Sequence, residues 1–162
     1  MSDVELEIPA RPEYLSLARQ AVAAIAAVEP RFRVERIDDL RVAVSEAITN
    51  AVEAHAAVGE SARIRIRCHL DVDGDRITVE VVDQAGGFDP ETVPVVPEVE
   101  DPSRLEHEHG LGIPIMRELA DETDISPHGR GTAVRLVVYR SPTVAARPTS
   151  APDGARPPGG LS

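Results

Sequence analysis

Alternating apolar and polar residues in three stretches of the chain predict β-strands. Residues 4–8 place valine, leucine and isoleucine between acidic residues, which is the two-residue period of a half-buried strand. Residues 62–72 alternate in the same way, with arginines and a histidine on the polar side. Asp73 and Gly74 then supply turn chemistry before the alternation resumes in residues 77–81. The second and third stretches are therefore predicted to form a β-hairpin.

Helical spacing appears in two segments between the first strand and the hairpin. From Pro12 to Ala27, apolar residues recur every three or four positions, and proline suits the first turn of a helix. A second helical pattern runs from Ile37 to His55 and continues to Gly59, a residue type common just past a helix end. Two helices are thus predicted before the main part of the sheet.

The second half of the chain contains one long irregular segment and three short elements. Residues 88–108 have prolines among many acidic residues, which suits neither a helix nor a strand. We predict a mobile loop there, lying over a binding site. A short helix is predicted from about residue 111 to 120, followed by strands near 123–126 and 132–139.

The order of these elements indicates the fold class. Few strand–helix–strand crossovers are available, so a doubly wound sheet is disfavoured. We predict an α+β fold, a two-layer sandwich in which a mixed, mainly antiparallel sheet is covered on one face by helices. A chain of 162 residues has room for one such domain. We place it at residues 1–140, followed by a disordered tail rich in Pro, Ala, Gly and Ser at residues 141–162.

The charge balance excludes some classes of function. The net charge is −11, with 28 acidic residues against 17 basic ones, all of them arginine. Such a chain repels a phosphate backbone, so no direct binding to nucleic acid is expected. No stretch approaches the roughly 20 apolar residues that cross a bilayer, and the amino terminus lacks a basic segment followed by an apolar run. We expect a cytoplasmic protein without membrane contact, with its single cysteine, Cys68, in the core.

Three familiar site signatures do not fit the sequence. A Walker phosphate loop requires a lysine after its glycines, and the chain has no lysine. Gly110 and Gly112 begin a Rossmann-like glycine series, but Ile115 stands where the third glycine is needed and no strand precedes the series. His107 and His109 have a metal-like spacing, yet no cysteine or third histidine joins them at the spacing of a zinc site.

Glu46 and Asn50 are the first candidates for a binding site. They are four residues apart and share one face of the second predicted helix. Taken alone, they are typical of a solvated helix face. Asparagine nevertheless has a modest helix propensity and no capping role in mid-helix, so this position favours a function.

Three further stretches place glycines beside polar residues. Asp83 stands at the end of a predicted strand and is followed closely by Gly87, which suits either a plain turn or a cleft where a flat ligand approaches the backbone. Residues 109–116, HGLGIPIM, have glycines just before a helix, where free amides and the helix dipole can hold a phosphate. Gly131 and Thr132 open the last strand, and alone they indicate only the end of a loop.

In their order and residue types, these four stretches resemble the N, G1, G2 and G3 boxes of the GHKL ATPases. Over residues 4–139 the chain is similar to the RsbW-like anti-sigma-factor serine/threonine kinases of that group. The resemblance implies the Bergerat ATPase fold, with ATP and Mg²⁺ as ligands. One position departs from the pattern, because the usual DxGxG reads DQAGG here, with Ala85 in place of the first glycine.

The same resemblance implies a role for each candidate residue. Glu46 corresponds to the acidic residue that acts as catalytic base, and Asn50 to the magnesium ligand. Asp83 corresponds to the acid that accepts a hydrogen bond from the adenine amino group. The other matches surround the nucleotide: Gly87 in the G1 box, Gly110, Leu111 and Gly112 in the turn that wraps the phosphates, and Thr132 near adenine. Residues 93–109 correspond to a lid.

The resemblance also implies a reaction and its partners. The γ-phosphoryl group of ATP would pass to a serine or threonine of an anti-anti-sigma (STAS-type) protein, and the chain would also bind a sigma factor. A homodimer is compatible with this group. One alternative is a non-catalytic ATP-binding anti-sigma switch, in which the nucleotide only sets the shape. Another is a small α+β protein without a ligand, in which the motif series arose by chance.

Overall fold

The computed structural model describes residues 2–58, 63–71, 75–84 and 111–141. In chain order, the elements are β1 (Ser2–Pro9), a 3₁₀ turn (Pro12–Tyr14), α1 (Leu15–Ala26), α2 (Val34–Val58), β2 (Arg63–Leu70), β3 (Arg76–Val82), α3 (Gly112–Leu119), β4 (Glu122–His128) and β5 (Gly131–Tyr139). This is the predicted order of elements, and the predicted α+β fold is confirmed. The turn at residues 73–74, the irregular segment 88–108 and the tail from residue 142 lie outside the described residues.

The five strands form one sheet in the order β1-β2-β3-β5-β4. Every pairing among the described strands is antiparallel. The prediction of a mainly antiparallel sheet is confirmed, but the parallel pairing that a mixed sheet would have is not found among these strands. In the pairing of β3 with β5, Val82 is opposite Ala133. Although α3 and β4 separate these strands in sequence, the end of β3 therefore lies beside the start of β5. This junction positions the candidate site.

The three helices cover one face of the sheet, where the core lies. In β2 the exposed or half-buried arginines alternate with residues that are at most 6% exposed. Helix α2 is the central helix, packing against α1 and α3 and against the sheet. The core is built mainly from Ala, Val, Ile and Leu, and Cys68 lies in it as predicted, with 1% exposure. Within the described residues, no helix combines the length and apolar character needed to cross a membrane.

The first predicted helix begins with a tighter turn than expected. Pro12–Tyr14 form a 3₁₀ turn, and α1 starts only at Leu15. Pro12 has no amide hydrogen to donate. The Tyr14 amide donates to the Arg11 carbonyl at 3.1 Å, which is the three-residue bond of a 3₁₀ helix. The predicted segment is helical throughout, but its first turn is not α-helical.

A half-buried network fixes the start of α2 to the end of β5. Arg36 is 11% exposed and donates hydrogen bonds to the carboxylates of Asp39 and Asp121 and to the carbonyl oxygen of Tyr139. Asp121 is 8% exposed at its side chain, and it also accepts from the Tyr139 amide at 2.8 Å. The expectation that Asp121 pairs near a helix end rather than acting as a catalytic group agrees with this arrangement.

Candidate active site

Asp83 and Thr132 meet where β3 ends and β5 begins. Asp83 follows the last ladder residue of β3, and its amide donates to the Thr132 carbonyl oxygen at 2.9 Å. Both residues are largely buried, with 6% and 7% exposure. Strand pairing thus extends one residue beyond the ladder and holds a carboxylate and a hydroxyl at one edge of the core.

Glu46 and Asn50 approach the same region from α2. Both are half-buried and lie one helical turn apart on this helix. They face Gly112, the first residue of α3. A Cβ on Gly112 would lie 3.1 Å from Glu46 Oε2 and 3.3 Å from both terminal atoms of Asn50. The predicted N-box residues and the predicted phosphate-binding glycine are therefore neighbours.

A pocket between α2, α3 and the sheet brings Asn50 together with Asp83 and Thr132. Its walls are mostly small and branched apolar side chains, with three polar residues among them. The lining residues are Ala47, Asn50, Ala51, Ala54, Val81, Asp83, Ile113, Ile125, Thr132 and Val134. The described residues enclose about 50 Å³, well below the roughly 300–1,000 Å³ of a typical ligand site. By themselves they do not enclose a cavity large enough for a nucleotide.

The start of α3 has amides for which the described part of the chain shows no capping side chain. Leu111 is the N-cap residue and makes no side-chain capping bond. Pro114 has no amide hydrogen, and the Ile115 amide already donates to the Leu111 carbonyl at 3.0 Å. The amides of Gly112 and Ile113 belong to the first helical turn, whose donors have no partner within a helix. This helix start is suited to an anion.

Other predicted residues lie in the undescribed segment between Gln84 and Leu111. They are Ala85, Gly87, His107, His109 and Gly110. Asp83 and Ile113, close to the two ends of this segment, both line the pocket. The predicted lid at residues 93–109 falls wholly within the segment, and it remains a prediction.

A wider depression of about 430 Å³ lies on the face of the sheet away from the helices. Asp3, Glu5, Arg67, Glu80 and Arg135 are among its lining residues. These charges already have partners, since Arg67 bonds Glu5 at 2.7 Å and approaches Glu80 at 3.5 Å. The hydrogen bond from Arg67 also holds the pKa of Glu5 below its ordinary value. We therefore assign the candidate site to the helix side of the sheet.

Sequence reasoning missed the apolar wall of the site. Ala47, Ala51 and Ala54 recur at helical spacing beside Asn50 and line the pocket. Their spacing was a possible signal, because small residues at positions i, i+4 and i+7 leave room along one face of a helix. Ile113 and Ile125 gave no such signal, because apolar residues in a short helix and strand are equally typical of core.

Comparison with known proteins supports an ATPase domain. The family model for the histidine kinase-like ATPase domain matches residues 8–138. The chain belongs to the histidine kinase-like ATPase family. A serine-protein kinase RsbW from Listeria innocua is 36% identical over 140 residues, which cover 84% of this chain and 86% of that protein. An anti-sigma F factor from Thermoanaerobacter sp. is 34% identical over 139 residues, covering 84% and 92% respectively.

A solved structure shows the same fold. In a crystal structure of the RsbU and RsbW domains of a Mycobacterium tuberculosis protein, the match has a TM-score of 0.60 at 21% identity. It covers 85% of this chain and 31% of that longer chain. A histidine kinase-like ATPase domain binds ATP, and the pocket between α2, α3 and the sheet is its candidate ATP site here.

Proposed function

We propose that the chain is an anti-sigma-factor serine/threonine kinase that phosphorylates an anti-anti-sigma (STAS-type) protein with Mg·ATP. One observation carries this proposal: polar residues from α2, the end of β3 and the start of β5 converge at the first residue of α3 and the pocket beside it. The polar residues are Glu46, Asn50, Asp83 and Thr132, and the first residue of α3 is Gly112. The names of the relatives, serine-protein kinase and anti-sigma F factor, support this reaction.

The residues at the start of α3 fit a magnesium ion. Mg²⁺ prefers oxygen ligands and is usually held by one or two protein groups together with substrate phosphates. Glu46 and Asn50 bring carboxylate and amide oxygens to Gly112, and we assign Asn50 as the ligand. The described residues contain no group of three His, Cys, Asp or Glu side chains that would hold a metal without a substrate. When bound, the ion would neutralise charge on the phosphates.

The nucleotide would be oriented from both ends of the pocket. Asp83 would accept a hydrogen bond from the exocyclic amino group of adenine, and the Thr132 hydroxyl would lie near the same ring. The amide of Gly112, with Leu111 at the turn, would hold phosphate oxygens with the help of the helix dipole. Since the chain has no lysine, this amide and the metal ion replace the cationic side chain that many phosphate sites use. Gly87 and Gly110 would complete the site.

Glu46 would act as the general base. The hydroxyl oxygen of the partner serine or threonine would form a bond to the γ-phosphorus of ATP while the bond to the ADP oxygen breaks. The hydroxyl proton would pass to the Glu46 carboxylate, which is half-buried and close to Gly112. Positioning and charge neutralisation supply most of the rate in such transfers, with a smaller share from the base.

Transfer of label from ATP to a purified anti-anti-sigma protein tests the proposal. Glu46→Gln should keep Mg·ATP binding and lower the transfer rate by on the order of 100-fold. Asn50→Ala should lose Mg-dependent ATP binding. Glu35→Gln, an exposed change near the start of the same helix, is the matched control and should behave as wild type. A normal rate in Glu46→Gln would remove Glu46 from the role of base.

The same experiment separates the kinase from its alternatives. ATP binding without label on any partner would favour the non-catalytic switch. No calorimetric heat on adding Mg·ATP to the wild-type chain would contradict both. We also propose that a sigma factor is the second partner, that the kinase is a homodimer and that it acts in the cytoplasm. Capture of a sigma factor in the presence of nucleotide tests the second partner, and sedimentation of the free chain tests the homodimer.

A further inference from the structure

Gly131 lies unusually close to the backbone of Asp83. A Cβ on Gly131 would lie 2.1 Å from the Asp83 carbonyl oxygen, 2.6 Å from its carbonyl carbon and 2.6 Å from Gln84 Cα. Real Cβ atoms essentially never approach other heavy atoms within 3.0 Å. Among the described glycines only Gly129 has a positive φ, so Gly131 is required for space and not for its backbone conformation.

This contact decides where Asp83 can lie. The Asp83 amide already donates to the Thr132 carbonyl at 2.9 Å, and its own carbonyl faces Gly131. Restoring a 3.0 Å contact from 2.1 Å would move the carbonyl by about 0.9 Å. The neighbouring atoms are backbone, so a side-chain rotation cannot relieve the overlap. Any side chain at position 131 must therefore push the Asp83–Gln84 peptide away from β5.

We propose that Gly131 is a positioning residue for base recognition. Its missing side chain lets the backbone of Asp83 rest against β5, and this sets the depth of the Asp83 carboxylate in the pocket that it shares with Asn50 and Thr132. At that depth the carboxylate selects a purine with an exocyclic amino group. Gly131 acts through Asp83 and does not itself contact the nucleotide. This inference rests on the proposed ATP site.

The selectivity follows from the burial of Asp83. At 6% exposure, its carboxylate has little access to water. A site built to hydrogen-bond a substrate group rejects an analogue that lacks that group more strongly than an apolar pocket rejects a small change of size. A displacement of about 1 Å is enough to lower the efficiency of such a site by about 100-fold. Selectivity for the amino group is therefore the property most sensitive to position 131.

The test compares two glycine variants in the β4–β5 hairpin. The dissociation constants of Mg·ATP and of purine riboside triphosphate, which lacks the amino group, are measured for each protein. Gly131→Ala should weaken ATP binding by about 10- to 100-fold and bring the ratio of the two constants close to one. Gly129→Ala introduces strain at φ 60° with no atom within 4 Å of the new Cβ. It should lower the melting temperature and leave the ratio unchanged.

The outcomes separate this inference from the proposed function. A wild-type chain that binds neither nucleotide overturns both. A wild-type chain that prefers ATP, together with a folded Gly131→Ala protein of the same preference, overturns the positioning role alone. If Gly131→Ala does not fold, Asp83→Glu replaces it, because the extra methylene moves the carboxylate without touching Gly131. A normal ratio in Asp83→Glu would show that the depth of the carboxylate does not matter, and would also overturn the inference.

Discussion

His55 is an unusual residue in the described core. It is 1% exposed on α2, and within the described residues neither ring nitrogen has a hydrogen-bond partner. The helical pattern from Ile37 placed His55 on the apolar side of the helix, and its burial confirms that interpretation. Burial of a polar group without a hydrogen bond costs free energy that an apolar side chain of similar size would not cost.

We expect His55→Leu to stabilise the protein. Leucine has a similar volume and a better helix propensity, and it removes two unpaired nitrogens from the core. The free energy of unfolding should rise by about 1–3 kcal/mol, measured by urea denaturation at neutral pH. His55→Asn keeps polar atoms at the same place and should not stabilise. A leucine variant less stable than wild type would indicate that the His55 ring has a hydrogen-bond partner in the folded protein.

Gly112→Ala should separate stability from activity. Alanine in place of glycine adds about 0.5–1 kcal/mol of stability in the middle of a helix and less at Gly112, the first residue of α3, so the unfolding midpoint should change little. The new Cβ would lie 3.1 Å from Glu46 and 3.3 Å from Asn50, and these side chains must shift by a few tenths of an ångström. We expect a phosphoryl-transfer rate about 10-fold lower. Transfer at the wild-type rate would show that both side chains can move without loss of function.

At the scale of whole elements, the network around Arg36 joins α2 to β4 and β5. Asp121→Ala removes one carboxylate from a guanidinium that is only 11% exposed and also removes the acceptor of the Tyr139 amide. Arg36 then keeps the more exposed Asp39 and the Tyr139 carbonyl as its partners, so its charge is only partly compensated. The free energy of unfolding should fall by about 2–3 kcal/mol, less than the roughly 3–5 kcal/mol that the loss of a sole buried partner costs. Chemical denaturation monitored by circular dichroism measures this change.

Two further variants control for the Asp121→Ala result. Asp39→Ala removes the more exposed partner of Arg36, which is 33% exposed, and should cost about 1 kcal/mol or less. The double variant Arg36→Met/Asp121→Leu removes both charges and should be more stable than Asp121→Ala. A double variant that is no more stable than the single one would show that unpaired charge is not the source of the loss.

Elements could be predicted from the sequence, whereas contacts between distant residues could not. Periodicity predicted β1, α1, α2, β2 and β3, because a two-residue or 3.6-residue pattern reports which side of an element is buried. The shorter α3, β4 and β5 were predicted at about the right places without such a pattern. The convergence of Asn50, Asp83 and Thr132 was implied only by resemblance, since no local pattern states that β3 pairs with β5. The close approach of Gly131 to the backbone of Asp83 is a contact between residues far apart in sequence. The pairing of Arg36 with Asp121 is another such contact, and no local sequence pattern indicates it.

At the scale of the whole molecule, the sheet has an apolar face and a charged face. On the face away from the helices, strand register sets Glu5 beside Arg67, Arg67 beside Glu80, and Glu80 beside Arg135. Opposite charges on neighbouring strands favour this register. Because the bases offset the acids, this row adds little to the net charge of −11. Most of the negative charge therefore lies elsewhere in the chain.

The ion pair of Glu29 with Arg31 makes a small contribution to the loss of stability in acid. Hydrogen bonds from Arg31 lower the pKa of Glu29 to about 2. Because the native pKa lies below the unfolded value, this pair stabilises the fold fully above about pH 4.5 and stops doing so as the pH falls toward 2. Glu29→Gln should remove that part of the acid dependence, seen as a flatter plot of melting temperature against pH below 4.5. Because the pair is exposed, the effect should be small.

Ionisation of Cys68 should contribute to the loss of stability at alkaline pH. Burial raises the pKa of its thiol from 9.0 to about 11, so the native state disfavours the thiolate that the unfolded chain forms more easily. The stabilisation from a neutral thiol is present below about pH 9 and is lost as the pH rises toward 11. Two pKa units correspond to about 3 kcal/mol. Two proteins are compared to test this expectation, because Cys68→Ala leaves a small cavity at every pH but has no thiol to titrate.

The difference in the free energy of unfolding between wild type and Cys68→Ala should therefore shrink between pH 8 and pH 11. Comparison of the two proteins cancels the titration of the tyrosines, which both retain. A difference that stays constant over this range would show that the thiol is no harder to ionise in the folded protein than in the unfolded chain.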